Sequence, residues 1–199
     1  MEDKRGTPRA VAAGSGRADQ KAHTRAESSL NKAQVRKLIS DERLIEDYVQ
    51  LDIQLTPNGF DLTAGGIFSF CSSGRIDFSN QERQLAHCEE MSLQRIDPRD
   101  PSPEWWVLSK GVYKIKTNET VNLPDSIIAC AFTRTSLLRM GVTTSHGVWD
   151  AGFEGKGEFL LNVENPRGVL IKKNARIAQL VFFPVSPTEQ YQGIYRHLT

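Results

Sequence analysis

Cysteine is scarce in this chain: Cys71, Cys88 and Cys130 are its three thiols, with no CxxC pair and no metal-ligand spacing among them. An odd, scattered set argues against a disulfide framework and for inert thiols in a reduced compartment. Long apolar runs are missing too. None reaches the roughly 18–20 residues that a membrane span requires, and the first residues are mixed in charge without the apolar stretch of a secretory leader. A soluble, cytoplasmic protein is therefore expected. Net charge is almost absent, +1 at neutral pH, which gives no basic field for specific nucleic-acid binding. Internal repeats are absent as well.

What is present divides the 199 residues in two. Residues 1–29 are rich in Arg, Lys, Ala, Gly and Ser, with almost no large apolar side chain. Such a segment cannot bury enough surface to offset its ordering entropy, so a disordered tail is expected there. A weak anionic contact through Arg5, Arg9, Arg17 and Arg25 competes with the simpler reading of a solvated extension, which we favour. Residues 30–199 form the folded domain, long enough for a real core. Leu30, Val35, Leu38 and Ile39 recur at helical spacing and predict a short helix to about Ile39. Ser40 and Asp41 then suit the cap of a second helical turn through Leu44 and Ile45.

After that the pattern is of short strands. Val49, Leu51, Ile53 and Leu55 alternate with polar residues until Pro57-Asn58-Gly59 breaks the run. Val112, Tyr113, Ile115 and Val121, then 127–132, 159–163, 169–171 and 177–185, continue at intervals of about 8–12 residues, bounded by Gly, Pro or Asn. This predicts an all-β barrel or jelly roll with a short N-terminal helix, not a βαβ architecture. The stretch 71–106 is the least legible. It is polar, carries Pro98, Pro101 and Pro103, and reads as a hairpin or long loop packed back by Trp105 and Trp106.

Three places offer chemistry. Asp150, between Trp149 and Ala151-Gly152, stands at a predicted strand end, where a carboxylate can face a cleft and orient and deprotonate a water. The competing role is a turn Asp bonded to its own backbone. Arg134 and Arg139 have planar forks that match phosphate oxygens, with the hydroxyls of Thr135 and Ser136 between them. This is not a Walker loop, since no GxxxxGK occurs. On the strand 175–180, Gln179 facing inward would need a partner or ligand, and Arg176 suits an ion pair as well as a ligand. His146 reads as a loop histidine more readily than as a general base.

Four ordered blocks, Pro57 to Leu62, Thr133 to Gly141, Gly147 to Gly155 and Ala175 to Leu180, resemble the first four motifs of the trimeric dUTP pyrophosphatase and dCTP deaminase superfamily. The wording Ser-Leu-Leu-Arg-Met-Gly-Val-Thr-Thr and Val-Trp-Asp-Ala-Gly is most similar to the archaeal-type dUTP pyrophosphatases, and the resemblance covers roughly residues 35–196. It implies a distorted β-barrel of the dUTPase-like, β-clip kind, assembled as a homotrimer with sites between subunits. It further implies dUTP as substrate, hydrolysed to dUMP and pyrophosphate, with Mg²⁺ carried by the triphosphate rather than by a protein cage. The match assigns Asp150 to water activation and Phe153, usually a tyrosine, to packing on the deoxyribose. The hairpin backbone through Thr144, Gly147 and Val148 would read the pyrimidine. Arg134, Thr135, Ser136, Arg139 and Gln179 would face the nucleotide, and Asp61 would lie near the triphosphate or an arginine.

Two departures from the family pattern matter. The glycine-rich fifth motif is missing, and the ending Tyr-Gln-Gly-Ile-Tyr-Arg-His makes Gly193, Tyr195 and Arg196 the candidate lid. Deaminases of the superfamily also place a glutamate on the strand after the hairpin. Counted forward from Asp150 that position is Leu160, and counted back from Asn165 it is Asn162. Glu158 reaches the position only by a two-residue slip. A hydrolase is the expectation; a dCTP deaminase, alone or bifunctional, and a non-catalytic nucleotide sensor are the alternatives.

Overall fold

A computed structural model describes residues 29–99 and 104–197. The expected tail, 1–29, lies outside the described residues except for Ser29. The first helix, α1 (Lys32–Glu42), starts at Asn31, whose side chain accepts from the Ala33 and Gln34 amides while Gln34 returns a bond to the Asn31 amide. This capping box satisfies amides that the first turn leaves open. Val35 and Ile39, four apart, bury its inner face. The helix is continuous through Ser40 and Asp41 and stops at Arg43 in a left-handed conformation, so the expected second cap does not occur. Leu44 and Ile45 are buried instead, with β1 (Ile45–Glu46) paired antiparallel to Thr120 and Val121.

The alternation at 49–55 is the second correction. Leu51–Gln54 is one helical turn, α2, and only Leu55–Thr56 (β2) is extended. The cause is tertiary. Gln54 is buried, its Oε1 caps the Gln50 amide at 2.8 Å, and its Nε2 donates to Glu119 at 2.7 Å, while Val49 and Ile53 are left exposed.

Nearly everything else is strand: β3 (Gly59–Phe70), β4 (Cys88–Glu90), β5 (Trp105–Leu108), β6 (Gly111–Asn122), β7 (Ile127–Thr133), β8 (Val142–Ser145), β9 (Glu154–Val163), β10 (Val169–Lys172) and β11 (Arg176–Pro184). One antiparallel sheet runs β7-β11-β3-β6-β9-β8, with β1 on β6 and both β2 and β4 on β3; β10 pairs with β5 in a separate ribbon. Its two ends curl together. The Thr144 amide donates to Thr133 Oγ1 at 2.8 Å, and Trp149 exchanges two backbone bonds of 2.9 Å with Ala129 of β7. The result is the expected distorted barrel, filled by Phe60, Leu62, Ile67, Leu161, Leu180 and Phe182.

Gly59 shows why the Asn58-Gly59 turn is written as it is. Its φ is +154°, and a Cβ there would stand 2.1 Å from the Leu180 carbonyl oxygen, so β3 can approach β11 only without a side chain. Between β3 and β5 the chain makes an excursion closed by the Arg75–Gln84 bridge and returned to the barrel by β4. Trp106 packs it as expected: the side chain is buried and its Nε1 donates to the Met91 carbonyl at 3.0 Å.

Candidate active site

The barrel closure fixes the position of Asp150. Trp149 is buried and tied to β7, Gly152 turns at φ +76°, and the Phe153 amide closes the turn on the Asp150 carbonyl at 3.1 Å. Three further backbone bonds clamp this turn: Gly152 to Pro124, Leu123 to Phe153, and Tyr191 to Ala151. A Cβ on Gly152 would meet the Gln190 Cβ at 2.6 Å, so the C-terminal segment lies directly on the turn. The backbone is held on every side, yet the Asp150 side chain is exposed.

Asp150 stands at a cavity of about 440 Å³, within the range of small-ligand sites. Gly147, Val148 and Phe153 line it with Asp150, and so does Tyr195 of the candidate lid. Phe153 is nearly buried, its ring 5.9 Å from that of Tyr191. The excursion contributes Leu85, Ala86 and Cys88 as one wall, and β9 contributes Gly157, Glu158, Phe159 and Leu160 as another. Neither wall was anticipated as a whole, because the excursion reaches the cavity through tertiary packing alone.

Two lysine–carboxylate ion pairs lie along β9. Glu158 meets Lys114 of β6 at 3.0 Å, and Lys156 meets Asp47 at 3.2 Å while also donating to the Asn118 carbonyl. Leu160, the forward-counted counterpart of the deaminase glutamate, lines the cavity as an apolar residue, and Glu158 lines it beside Leu160.

His146 lies under the hairpin. Its ring packs 4.2 Å from Phe159, its Nε2 meets Thr144 Oγ1 at 2.8 Å, and burial lowers its pKa to about 4. It is neutral at pH 7 and serves as a buttress. Thr144 is buried with it, its Oγ1 also 2.8 Å from Thr133 Oγ1, and does not line the cavity.

The remaining predicted residues gather elsewhere. Asp61 of β3 is buried, and its Oδ2 meets Arg134 Nε at 2.9 Å and Arg176 Nη1 at 3.1 Å. Burial pushes the Asp61 carboxyl above its ordinary pKa, against the pull of the two guanidiniums. Arg134 Nη1 also donates to the Arg176 carbonyl, and Arg176 Nη1 to the Ile53 carbonyl. Of the two roles open for Arg176, the structure shows the ion pair.

Thr135 and Ser136 are exposed on α3 (Thr135–Leu138), a single turn, and Arg139 is exposed at its C-cap. Gln179 is half-buried rather than interior, and its Nε2 donates to Thr56 Oγ1 at 2.9 Å. A register shift between Arg176 and Ala178 puts both Ile177 and Ala178 in the core; beyond it Ala178, Leu180 and Phe182 point inward and leave Gln179 on the other face. None of Asp61, Arg134, Thr135, Ser136, Arg139 or Gln179 lines the Asp150 cavity. Of the other lid residues, Gly193 lies against the Tyr191 ring and Arg196 Nη2 is 3.5 Å from Gln190 Oε1.

A second buried carboxylate supports the Asp61 cluster from below. Glu119 accepts from Gln54 Nε2, from the Thr63 amide at 2.9 Å and from Thr63 Oγ1 at 2.5 Å. Gln54 Nε2 in turn also donates to the Asp61 carbonyl at 2.9 Å. Burial raises the Glu119 pKa; among the described residues its hydrogen-bond donors, Gln54 and Thr63, are neutral.

Comparison with known proteins decides the family. A family model described as dCTP deaminase-like matches residues 29–185. The chain belongs to this dCTP deaminase-like family. Among curated relatives, a probable deoxyuridine 5'-triphosphate nucleotidohydrolase of Archaeoglobus fulgidus is 43% identical over 164 residues, 82% of this chain and 92% of the relative. A deoxyuridine 5'-triphosphate nucleotidohydrolase of Methanocaldococcus jannaschii is 38% identical over 144 residues, 72% of this chain and 87% of that protein. Among solved structures, a 2'-deoxycytidine 5'-triphosphate deaminase from Agrobacterium tumefaciens shares the fold, with a TM-score of 0.58 at 20% identity. The match covers 81% of this chain and 49% of that longer one.

Proposed function

We propose that this family member hydrolyses dUTP to dUMP and pyrophosphate, supplying dUMP and limiting uracil in DNA. The observation that carries the proposal is an exposed Asp150 carboxylate, fixed on a clamped turn at the mouth of a nucleoside-sized cavity. The names of the curated relatives support the same substrate.

In this reading Asp150 orients a water and takes its proton as the water attacks the α-phosphorus. Phe153 packs on the deoxyribose, and Gly147 and Val148 hold the pyrimidine from the hairpin. Mg²⁺ enters as the triphosphate chelate. Among the described residues no three acidic, His or Cys side chains are grouped to cage a metal, and a phosphate-borne Mg²⁺ needs none. Chemistry of this kind is mostly positioning and charge stabilisation, so phosphate-binding cations matter as much as the base.

Those phosphate contacts call for assembly. Arg134, Thr135, Ser136, Arg139 and Gln179 do not line the Asp150 cavity of their own chain. A homotrimer in which one protomer brings this group to the Asp150 cavity of its neighbour completes the site. Tyr195, with Gly193 and Arg196, closes it.

One observation favours a second reading, dCTP deamination: a glutamate, Glu158, does line the cavity. Its Oε2 is, however, already engaged by Lys114 at 3.0 Å rather than free to face a base. Incubation with dUTP or dCTP and Mg²⁺ separates the readings. Pyrophosphate from dUTP without ammonia from dCTP is expected. Ammonia from dCTP would establish the deaminase, and nucleotide binding without either product would leave a sensor.

A further inference from the structure

The short segment from Ile53 to Thr56 grips three members of the polar cluster that lies apart from the Asp150 cavity. The Ile53 carbonyl accepts from Arg176 Nη1 at 2.9 Å. Gln54 Nε2 donates to the Asp61 carbonyl at 2.9 Å, and Thr56 Oγ1 accepts from Gln179 Nε2 at 2.9 Å. Arg134 is the fourth member, held at Nε by the Asp61 carboxylate and at Nη1 by the Arg176 carbonyl. A guanidinium carries five donors, so these two bonds leave Arg134 able to meet an anion as well.

One side chain gives this segment its shape. Residues 49–55 alternate like a strand, yet Leu51–Gln54 close a helical turn. Gln54 is buried with all its hydrogen-bonding groups in use. Its Oε1 accepts from the Gln50 amide at the head of the turn, and its Nε2 donates both to the Asp61 carbonyl and to Glu119 Oε1 at 2.7 Å. Glu119 is fully buried, and the Thr63 amide fixes its Oε2 at 2.9 Å. A buried amide paired at every group keeps one orientation, because any other leaves a polar group unpaired. Ile53 and Thr56, one residue before and two after, inherit that orientation through the backbone.

We infer that Gln54 is a positioning residue for phosphate recognition: anchored on Glu119, it sets the Ile53–Thr56 segment and through it the orientation of Arg134, Arg176 and Gln179. This rests on the proposed assignment of Arg134 and Gln179 to the nucleotide. Without the Gln54 bonds, the Ile53 carbonyl, the Asp61 strand and the Thr56 hydroxyl are free to shift. Bonds from a guanidinium to phosphate oxygens are directional, and a displacement of about 1 Å forfeits much of their worth. The loss should therefore fall on ligands that carry a phosphate chain and spare those that do not. A general loss of stability would make no such distinction.

The test compares binding of the α,β-imido analogue of dUTP, with Mg²⁺, against binding of dUMP to the full chain. Wild type, Gln54→Met and Glu119→Gln are measured, each with its thermal midpoint. Methionine keeps the length of the side chain and removes its three bonds. Glu119→Gln is the structural control: its amide oxygen still accepts from Gln54, while its NH₂ opposes the Thr63 amide. The wild type is expected to prefer the triphosphate analogue at least about tenfold, the worth of one charged hydrogen bond. Gln54→Met should lower that ratio at least about fivefold with dUMP affinity within about twofold, whereas Glu119→Gln should lower the midpoint and keep the ratio. If Gln54→Met does not fold, Gln54→Glu decides, since it retains the bond from the Gln50 amide and loses both donors. An unchanged ratio in the Gln54 variant, or an equal fall in the Glu119 control, would make Gln54 merely structural and overturn the inference. Pyrophosphate release from dUTP with a ratio indifferent to Gln54 would sink this inference alone. A wild type that binds both ligands equally would remove the phosphate role of the arginine cluster, and this inference with it.

Discussion

Asp150→Asn is expected to abolish dUTP turnover, lowering kcat by at least about a thousandfold while leaving dUTP affinity within about tenfold. A positioned general base contributes typically 10²–10⁴ in rate, and asparagine keeps the shape while losing the proton-accepting charge. The argument that binding survives is structural. Among the described residues Asp150 enters none of the ion pairs, and its turn is held by backbone bonds that asparagine retains. The thermal midpoint should also stay within a few degrees. Equilibrium binding beside steady-state kinetics checks both parts, and unchanged turnover would refute the assignment of the base.

Asp61→Ala is expected to have the largest effect on stability. The carboxylate is 3% exposed and is the shared partner of Arg134 and Arg176, whose side chains are 25% and 35% exposed. Removing it leaves two partly enclosed guanidiniums facing each other across the space it filled. Breaking a buried pair from one side costs about 3–5 kcal/mol, and the partial exposure of the arginines argues for the lower end. At roughly 2–4 °C per kcal/mol for a domain of this size, the thermal midpoint should fall by about 6–12 °C. A shift under about 2 °C would mean that Asp61 does not hold the two arginines. Because Arg134 is one of the proposed phosphate contacts, KM should rise as well.

Much of the barrel was legible because its strands carry their own punctuation. The Asn58-Gly59 turn, the Pro124 stop after β6 and the alternating burial of β9 are local signals, and each survives in three dimensions. The misreadings have non-local causes. Gln54 makes a helical turn of an alternating segment because it bonds Glu119, distant in sequence. Ile177 enters the core beside Ala178 because of an irregularity after Arg176 that no periodicity announces. The site was legible to the same degree. Asp150, Gly147, Val148, Phe153 and Tyr195 do meet at one cavity, whereas the convergence of Asp61, Arg134 and Arg176 is a cross-strand fact. Lys114 gave no signal, since a lysine on an alternating strand reads as a solvated face until β9 is laid beside it.

The position of bond cleavage tests the central claim most directly. When the protein hydrolyses dUTP in ¹⁸O-labelled water, mass spectrometry of both products should find the label in dUMP and none in pyrophosphate, as attack on the α-phosphorus by an Asp150-directed water requires. Label in pyrophosphate, or release of inorganic phosphate instead, would contradict it.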